Sequence, residues 1–275
     1  MQKDVCSEQV NHTLCEGAAM LKLYTLVSAI SILAAGIVIA EDVVSREDSF
    51  SAVLGAGSNV MITNVNGNIT IEEWDSDQVL IEYTIQGDHI EEIESIDVQC
   101  DYTNGMHCEV TYLDDWDGSE VNFHVKLPES LYLNLVMRTL DGCISLNSGM
   151  GTSLVEIING SAVLEGFSGK LTVNVVNGEI ELIRVPGLSV VNIVEGTIRG
   201  TIDNIEQDVQ ISTVSGFIDL VLEGTASVSV STMSGSIDIP GAEIYHDLIG
   251  SSTEFGDGEF RINISTVSGD VSIHQ

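Results

Sequence analysis

Positive charge is what this chain has least of: 9 Lys and Arg stand against 42 Asp and Glu in 275 residues, a net charge of −33. Phosphate backbones are gripped by cationic surfaces, so the balance excludes nucleic acid as a partner. The acidic excess fits solvation in a saline or cation-rich medium and leaves a divalent cation, calcium first among them, as the cofactor to test. Aromatic residues are also scarce, at 5% against 44% hydrophobic residues overall, which calls for a narrow core of Val, Ile and Leu. No nucleophile motif is present. The histidines His89, His107, His124, His246 and His274 are scattered, with no metal-ligand spacing. Without a basic and aromatic cleft beside the acids, polysaccharide cleavage is the weakest of the functional readings.

What the chain does have is a phrase that returns: VNVVNGEIEL from Val173, ISTVSGFIDL from Ile211, VSTMSGSIDI from Val230 and ISTVSGDVSI from Ile264. Aligned on their glycines, the copies anchor at Gly67, Gly142, Gly160, Gly178, Gly196, Gly216, Gly235 and Gly269, at intervals from Gly142 onward of 18, 18, 18, 20, 19 and 34 residues. A period near 20 is the mark of a solenoid. Apolar residues fill the column five places before the glycine, from Ile62 and Met137 to Ile264. They also fill the columns two places before it, from Val65 and Leu140 to Val267, and two places after it, from Ile69 and Ile144 to Val271. Alternation on either side of the glycine is the period-2 pattern of half-buried strands, with glycine supplying the corner. Taking all three columns as inward predicts a parity slip between the first two, with Val214 in the core and Ser212 outside. The residue before each glycine, Asn66, Asp141, Asn159, Asn177, Glu195, Ser215, Ser234 or Ser268, is a corner former able to bond along the stack as in an asparagine ladder.

The fold class is therefore all-β: a right-handed parallel β-solenoid with β-hairpins at its N-terminal end, preceded by a hydrophobic signal or anchor helix. A Greek-key sandwich would not keep so fixed an interval. Residues 1–40 read as an extension and signal peptide or membrane anchor, 41–135 as a hairpin-rich entry region and cap, and 136–275 as the regular repeats. The apolar run from Leu23 to Ala40, preceded by Lys22 and followed by Glu41 and Asp42, fits either a cleaved signal or an 18-residue anchor, with Met20 as a natural start. Either way the β domain lies outside the cytoplasmic membrane, and the membrane is touched only through this segment.

In the entry region, strands are expected over Asn68–Asp75 and Val79–Thr84, joined by a polar turn, then over Ile96–Cys100 and Cys108–Tyr112 as a second pair, and over Val121–Leu127. The stretch from Cys100 to Cys108 centres on Asn104, so a three-residue turn Thr103-Asn104-Gly105 sets the two cysteines opposite one another. In an exported chain they are the disulfide pair, with Cys143 left free. Metal candidates are four. Asp219 and Asp238 would be rung neighbours three places after their glycines, although Glu181, Arg199 and Asp219 in that column also read as a solvated ion-pair ladder. Asp115 and Asp117 lie in the acidic loop Asp114–Glu120, which has part of a calcium-loop pattern and equally the composition of a hairpin turn. Asn68-Ile69-Thr70 and Asn263-Ile264-Ser265 match the N-glycosylation pattern inside predicted strands.

The T-V-S-G-x-I/V and V-N-G-x-I phrases, the opening Val65-Asn66-Gly67-Asn68-Ile69-Thr70-Ile71-Glu72-Glu73-Trp74-Asp75, and Leu127-Pro128 ahead of the first regular copy together resemble the prokaryotic putative adhesin domain family over roughly residues 50 to 275. The resemblance implies an exported or membrane-tethered β-solenoid, related to the toast-rack domains of envelope-stress systems, with no catalytic residues to carry over. It points to a non-enzymatic adhesin or cell-surface scaffold whose partner is a surface protein or glycan. An envelope-stress or membrane-associated sensor is the alternative, and a carbohydrate-active β-helix the more distant one.

Overall fold

The computed structural model describes residues 36–40, 43–102, 105–113, 118–247 and 250–274. A hairpin of β1 (Gly36–Ala40) and β2 (Val43–Ala52) comes first. The helix expected over the apolar run falls outside the described residues as far as residue 35, and its last five residues are the strand β1. β3 (Asn59–Thr63) and β4 (Ile69–Trp74) flank Gly67 and form the first rung. β5 (Val79–Gly87), a short helix α1 (Ile90–Glu94), β6 (Ile96–Asp101), β7 (Gly105–Tyr112) and β8 (Glu120–Pro128) follow. Five long strands then make one rung each: β9 (Tyr132–Asn147), β10 (Met150–Glu165), β11 (Ser168–Ile183), β12 (Leu188–Asp203) and β13 (Val209–Glu223). β14 (Ser227–Ser234) and β15 (Ile237–Asp238) are the two arms of another, followed by β16 (Tyr245–Asp247), β17 (Gly250–Phe255) and the last strand, β18 (Arg261–His274).

The rungs stack in parallel with the glycines in register, Gly142 on Gly160, Gly178, Gly196 and Gly216 in turn. Glycine is required there because the face where a side chain would project is occupied by the previous rung. A Cβ built on Gly178 would lie 1.6 Å from the Gly160 carbonyl oxygen, and the backbone holds φ at +146°. The same contact recurs down the column, from Gly142 on Gly67 to Gly269 on Gly216. Expectation and structure part at the next step. The neighbour of β13 is β18, not β14, and β14 lies beyond β18 with Ser234 registered on Ser268. Gly216 and Gly235 are therefore separated by the rung of Gly269. Beyond β14 the antiparallel β17, and then the three-residue β16, cover the edge that would otherwise template aggregation.

The inward parity also differs from expectation. Val214 is 48% exposed, and Ile158, Val176, Val194, Val267 and Met233 of the same column are exposed with it. Instead the buried column beside Ile211 is the one three places before the glycine: Ile157, Val175, Ile193 and Thr213 among others. The reason is where the strand bends. From the fifth residue before the glycine to the third the pleat is regular, but the residue two before it drops out of the ladder: Ile157 pairs with Val175 and Asn159 with Asn177, while Ile158 pairs with nothing. β9 with β10, and β12 with β13, skip the same position. The parity slip thus falls at the corner itself, between that outward residue and the inward Ile180 or Ile218 two places after the glycine. Inward residues from both arms merge into one apolar cluster that runs from Ala52 to Ile273.

At the N-terminal end the two arms part. β3 is continued by β7 in parallel and then by β6 as an antiparallel hairpin, while β4 is continued by β8, β5, β2 and β1. β4 and β5, consecutive strands, do not pair with each other, and β8 lies between them. Here the few aromatics gather: Tyr83 stacks on Phe50 and tilts against Phe123, and burial with the nearby Asp48 pushes its phenol up to about 12. Cys100 and Cys108 face each other across the β6–β7 hairpin, with Cα atoms 4.1 Å apart and their sulfurs bonded. Gly105 has φ +127°, and residues 103 and 104 of the expected turn lie outside the described ones. Cys143 is a free thiol.

These assignments can be tested by substitution. Ile218→Asp places an unpaired charge in the core and should cost about 3 kcal/mol or more, whereas Val214→Asp on the outside should cost less than about 1 kcal/mol; melting temperatures of the two variants compare them directly. Gly178→Ala should destabilise by at least about 2 kcal/mol more than Gly224→Ala, since a methyl group added at Gly224 would meet no atom within 4 Å and bears only backbone strain. Denaturant midpoints that coincide would show that the stacked carbonyl yields. Finally, thiol titration of oxidised, denatured residues 41–275 should find one reactive group, Cys143; a count of three would mean that the hairpin bond does not form in solution.

Candidate functional site

Each rung leaves three outward positions at its corner, four, two and one residues before the glycine. The middle one is apolar in every rung, reading along the stack Val65, Leu140, Ile158, Val176, Val194, Val214, Val267 and Met233. At about 4.8 Å per rung the row is roughly 34 Å long. Scattered exposed apolar side chains need no explanation, but a contiguous row of them marks a contact surface. Sequence reasoning found these residues and gave them the wrong face, because an apolar column looks the same from either side of a corner.

The flanking rows are polar, with their charges mainly in the first rungs. On one side Asn177 donates to Asn159 (3.1 Å) and Asn159 to Asp141 (2.9 Å), which is the amide ladder expected before the glycines. On the other, Asn192 donates to Asn174 (2.9 Å) and the Ser212 hydroxyl to Asn192 (2.5 Å), and at the end of that row Arg138 pairs with Glu156. These bonds run along the stack axis, so each side chain is held by its neighbours and the surface is set before any partner arrives. Only Arg138, Asp141, Glu156 and Glu195 are charged in the three rows. The first three lie in the rungs of Gly142 and Gly160, so from Asn174 onward the strip carries one charge, Glu195, on a chain of net charge −33. Between the Arg138–Asn192 row and the Leu140–Val194 row it sinks into a groove of about 540 Å³, lined mainly by apolar surface and reaching Asn64 at one end. The one carboxylate in that set, Glu156, is paired with Arg138, and the groove can hold a ligand by shape and by amide hydrogen bonds.

The acids picked out from the sequence do not come together. Asp219 and Asp238 are two rungs apart, with Ser272 registered between them, because β18 occupies the place expected for β14. Asp219 lies instead 3.4 Å from His274. The column does not form the expected ion-pair ladder either: Arg199 reaches back to Glu179 at 2.6 Å, a residue of a neighbouring column. Asp115 and Asp117 lie outside the described residues. Among the described residues no three His, Cys, Asp or Glu side chains converge as a metal-holding group. Asn68 uses its side-chain oxygen to accept the Cys143 N–H at 3.0 Å, and Asn263 sits in β18 between Gln210 and Ser229.

None of the curated proteins matches the chain. Among solved structures it is similar to a putative cell adhesion protein from Clostridium sporogenes ATCC 15579 (10% identity, 83% of this chain and 99% of that one, TM-score 0.36). It is also similar to a putative adhesin from Bacteroides fragilis NCTC 9343 (9% identity, 85% and 98%, TM-score 0.43). A third, a putative adhesin from Parabacteroides distasonis ATCC 8503, is 11% identical over 82% of this chain and 96% of that one, with a TM-score of 0.29. The family model described as Toastrack DUF4097 matches residues 58–274, from the first rung to the end of the inserted last strand, and the chain belongs to that toast-rack family.

Proposed function

We propose that this protein is an exported, non-enzymatic binding scaffold of the cell surface, adhesin-like in use, which holds its partner along the apolar row and the groove beside it. The observation that carries this reading is the outward apolar row, flanked from Asn174 onward by amides and hydroxyls with one charge, Glu195, on a strongly acidic chain. A row of Val, Ile and Leu kept outside through every rung serves no purpose in the core, and its flanking amides are already fixed in place, so a partner need not pay to order them. The acidic remainder keeps the chain soluble and discourages attachment anywhere else. Export is supported by the apolar stretch Leu23–Ala40 and by the Cys100–Cys108 bond, which suits an oxidising compartment. The partner is a protein or an uncharged glycan.

The reading is tested by screening residues 41–275 against immobilised glycans and surface proteins, beside the variant Val176→Glu, Val194→Glu, Val214→Glu. Since all three side chains are exposed, the variant should melt with the parent. Its binding to whatever the parent retains should fall at least about tenfold, equivalent to roughly 1.4 kcal/mol. Undiminished binding by the triple variant would move the contact elsewhere on the molecule, and turnover of any polysaccharide in the panel would reject the non-enzymatic reading.

A further inference from the structure

The last strand is not at the end of the stack. β18 fills the space between β13 and β14, paired in parallel with both, although β14 precedes it in the chain. The slot it enters is defined by a phrase that the occupant shares: Ile211-Ser212-Thr213-Val214-Ser215-Gly216 on one side, Val230-Ser231-Thr232-Met233-Ser234-Gly235 on the other, and Ile264-Ser265-Thr266-Val267-Ser268-Gly269 between them. In register these place Ser212, Ser265 and Ser231 side by side. We propose that β18 is an exchangeable strand, and that the slot between β13 and β14 also accepts the β18 of a second copy of this chain, giving a closed dimer in which each copy completes the other's stack.

Three observations favour a second copy as the occupant. First, every interaction that holds β18 would be reproduced without change. The Arg261 N–H donates to Asp208 at 2.9 Å, the Thr232 hydroxyl to the Gly269 carbonyl at 3.3 Å, and the Ser236 hydroxyl and N–H both to Asp270 at 2.7 Å, and these partners are present in any copy. Adding a strand through such main-chain and side-chain bonds is a general mode of association, and reciprocal exchange closes on itself with two-fold symmetry. Second, charge permits it. β18 carries one Arg and one Asp in 14 residues, so this nearly neutral segment can enter an acidic neighbour that would repel most other parts of the chain.

Third, the connection is suited to swing. Residues 256–260, Gly-Asp-Gly-Glu-Phe, join β17 to β18. Gly256 has φ +80°, and a Cβ on Gly258 would meet Ala226 at 2.5 Å, so the closed path depends on two glycines in a short link. On its other side, Glu259, Phe260 and Ile262 border a cavity of about 260 Å³. Short, constrained links of this kind are where strand exchange is favoured.

The test is a cross-link between two chains that no other arrangement brings together. Both are the full chain with Cys6, Cys15 and Cys143 replaced by serine; one carries Ser212→Cys, the other Ser265→Cys. Registered residues on neighbouring parallel strands sit about 4.8 Å apart, within disulfide range. The two are mixed, unfolded without reductant, refolded and oxidised. A band at the mass of two chains is expected on a non-reducing gel, and its absence from a parallel mixture of Ser212→Cys with Ser231→Cys, whose positions are two strands apart, shows that it comes from exchange. A single chain carrying both Ser212→Cys and Ser265→Cys should close an internal bond, which shows that the substitutions are tolerated in the inserted register. Only single-chain bands in the mixed sample, or equal two-chain bands in both mixtures, would overturn the proposal. So would failure of the internal bond to form.

Discussion

The stack depends on the approach of one backbone to the next at the corner. A rung can bend there only if the residue at the bend presents no side chain to the rung beneath, since that space is taken by a carbonyl oxygen no more than 2.3 Å from where a Cβ would lie at each stacked anchor from Gly142 to Gly269. Glycine meets that condition and also accepts the positive φ held at the bends of Gly142, Gly160, Gly178 and Gly196. Once the glycines are fixed, the register of every rung follows, because a slip of one residue would drive a Cβ into that carbonyl and turn the apolar columns outward. The apolar core, the amide ladders and the outer apolar row are each carried into line by the same corner.

How much of this was legible in the sequence depended on whether a feature is local or relational. The period, the glycine corner and the strand of each copy are written in consecutive residues, and so is the hairpin that sets Cys100 against Cys108 around a turn centre. The side on which Val214 or Val194 lies is not, because no residue type marks the point at which the strand leaves the ladder, and an apolar column reads the same from either side of the corner. The order of the last three rungs is not legible either. β14 and β18 carry nearly the same phrase, so either could lie on β13, and chain order is a poor guide when two segments fit one place equally well. The misplacement of Asp219 and Asp238 as neighbours follows directly from that ambiguity.

The candidate binding strip was hidden for a related reason. Its apolar row was singled out, but as core, while the row before the glycines was read only as corner formers; what makes the strip notable is a contrast, one charge from Asn174 onward in a chain that has many. Composition averages such contrast away. Only when rungs are laid side by side do Asn174, Asn192 and Ser212, spaced by 18 and 20 residues, become a continuous border to a row of Val and Ile. A repeat protein can thus evolve a surface column by column, adjusting one outward position per rung while the inward positions hold the architecture.

The position of β18 has a consequence for synthesis. A growing chain on the ribosome can stack β9 to β13 as each emerges, but the inner neighbour of β14 is β18, which is made after it. A product cut short before Arg261 would lack the rung that separates β13 from β14, and β14, which carries nearly the same phrase as β18, would then be free to close onto β13 in its place. The emergence of β18 thus decides between two orders of the same stack.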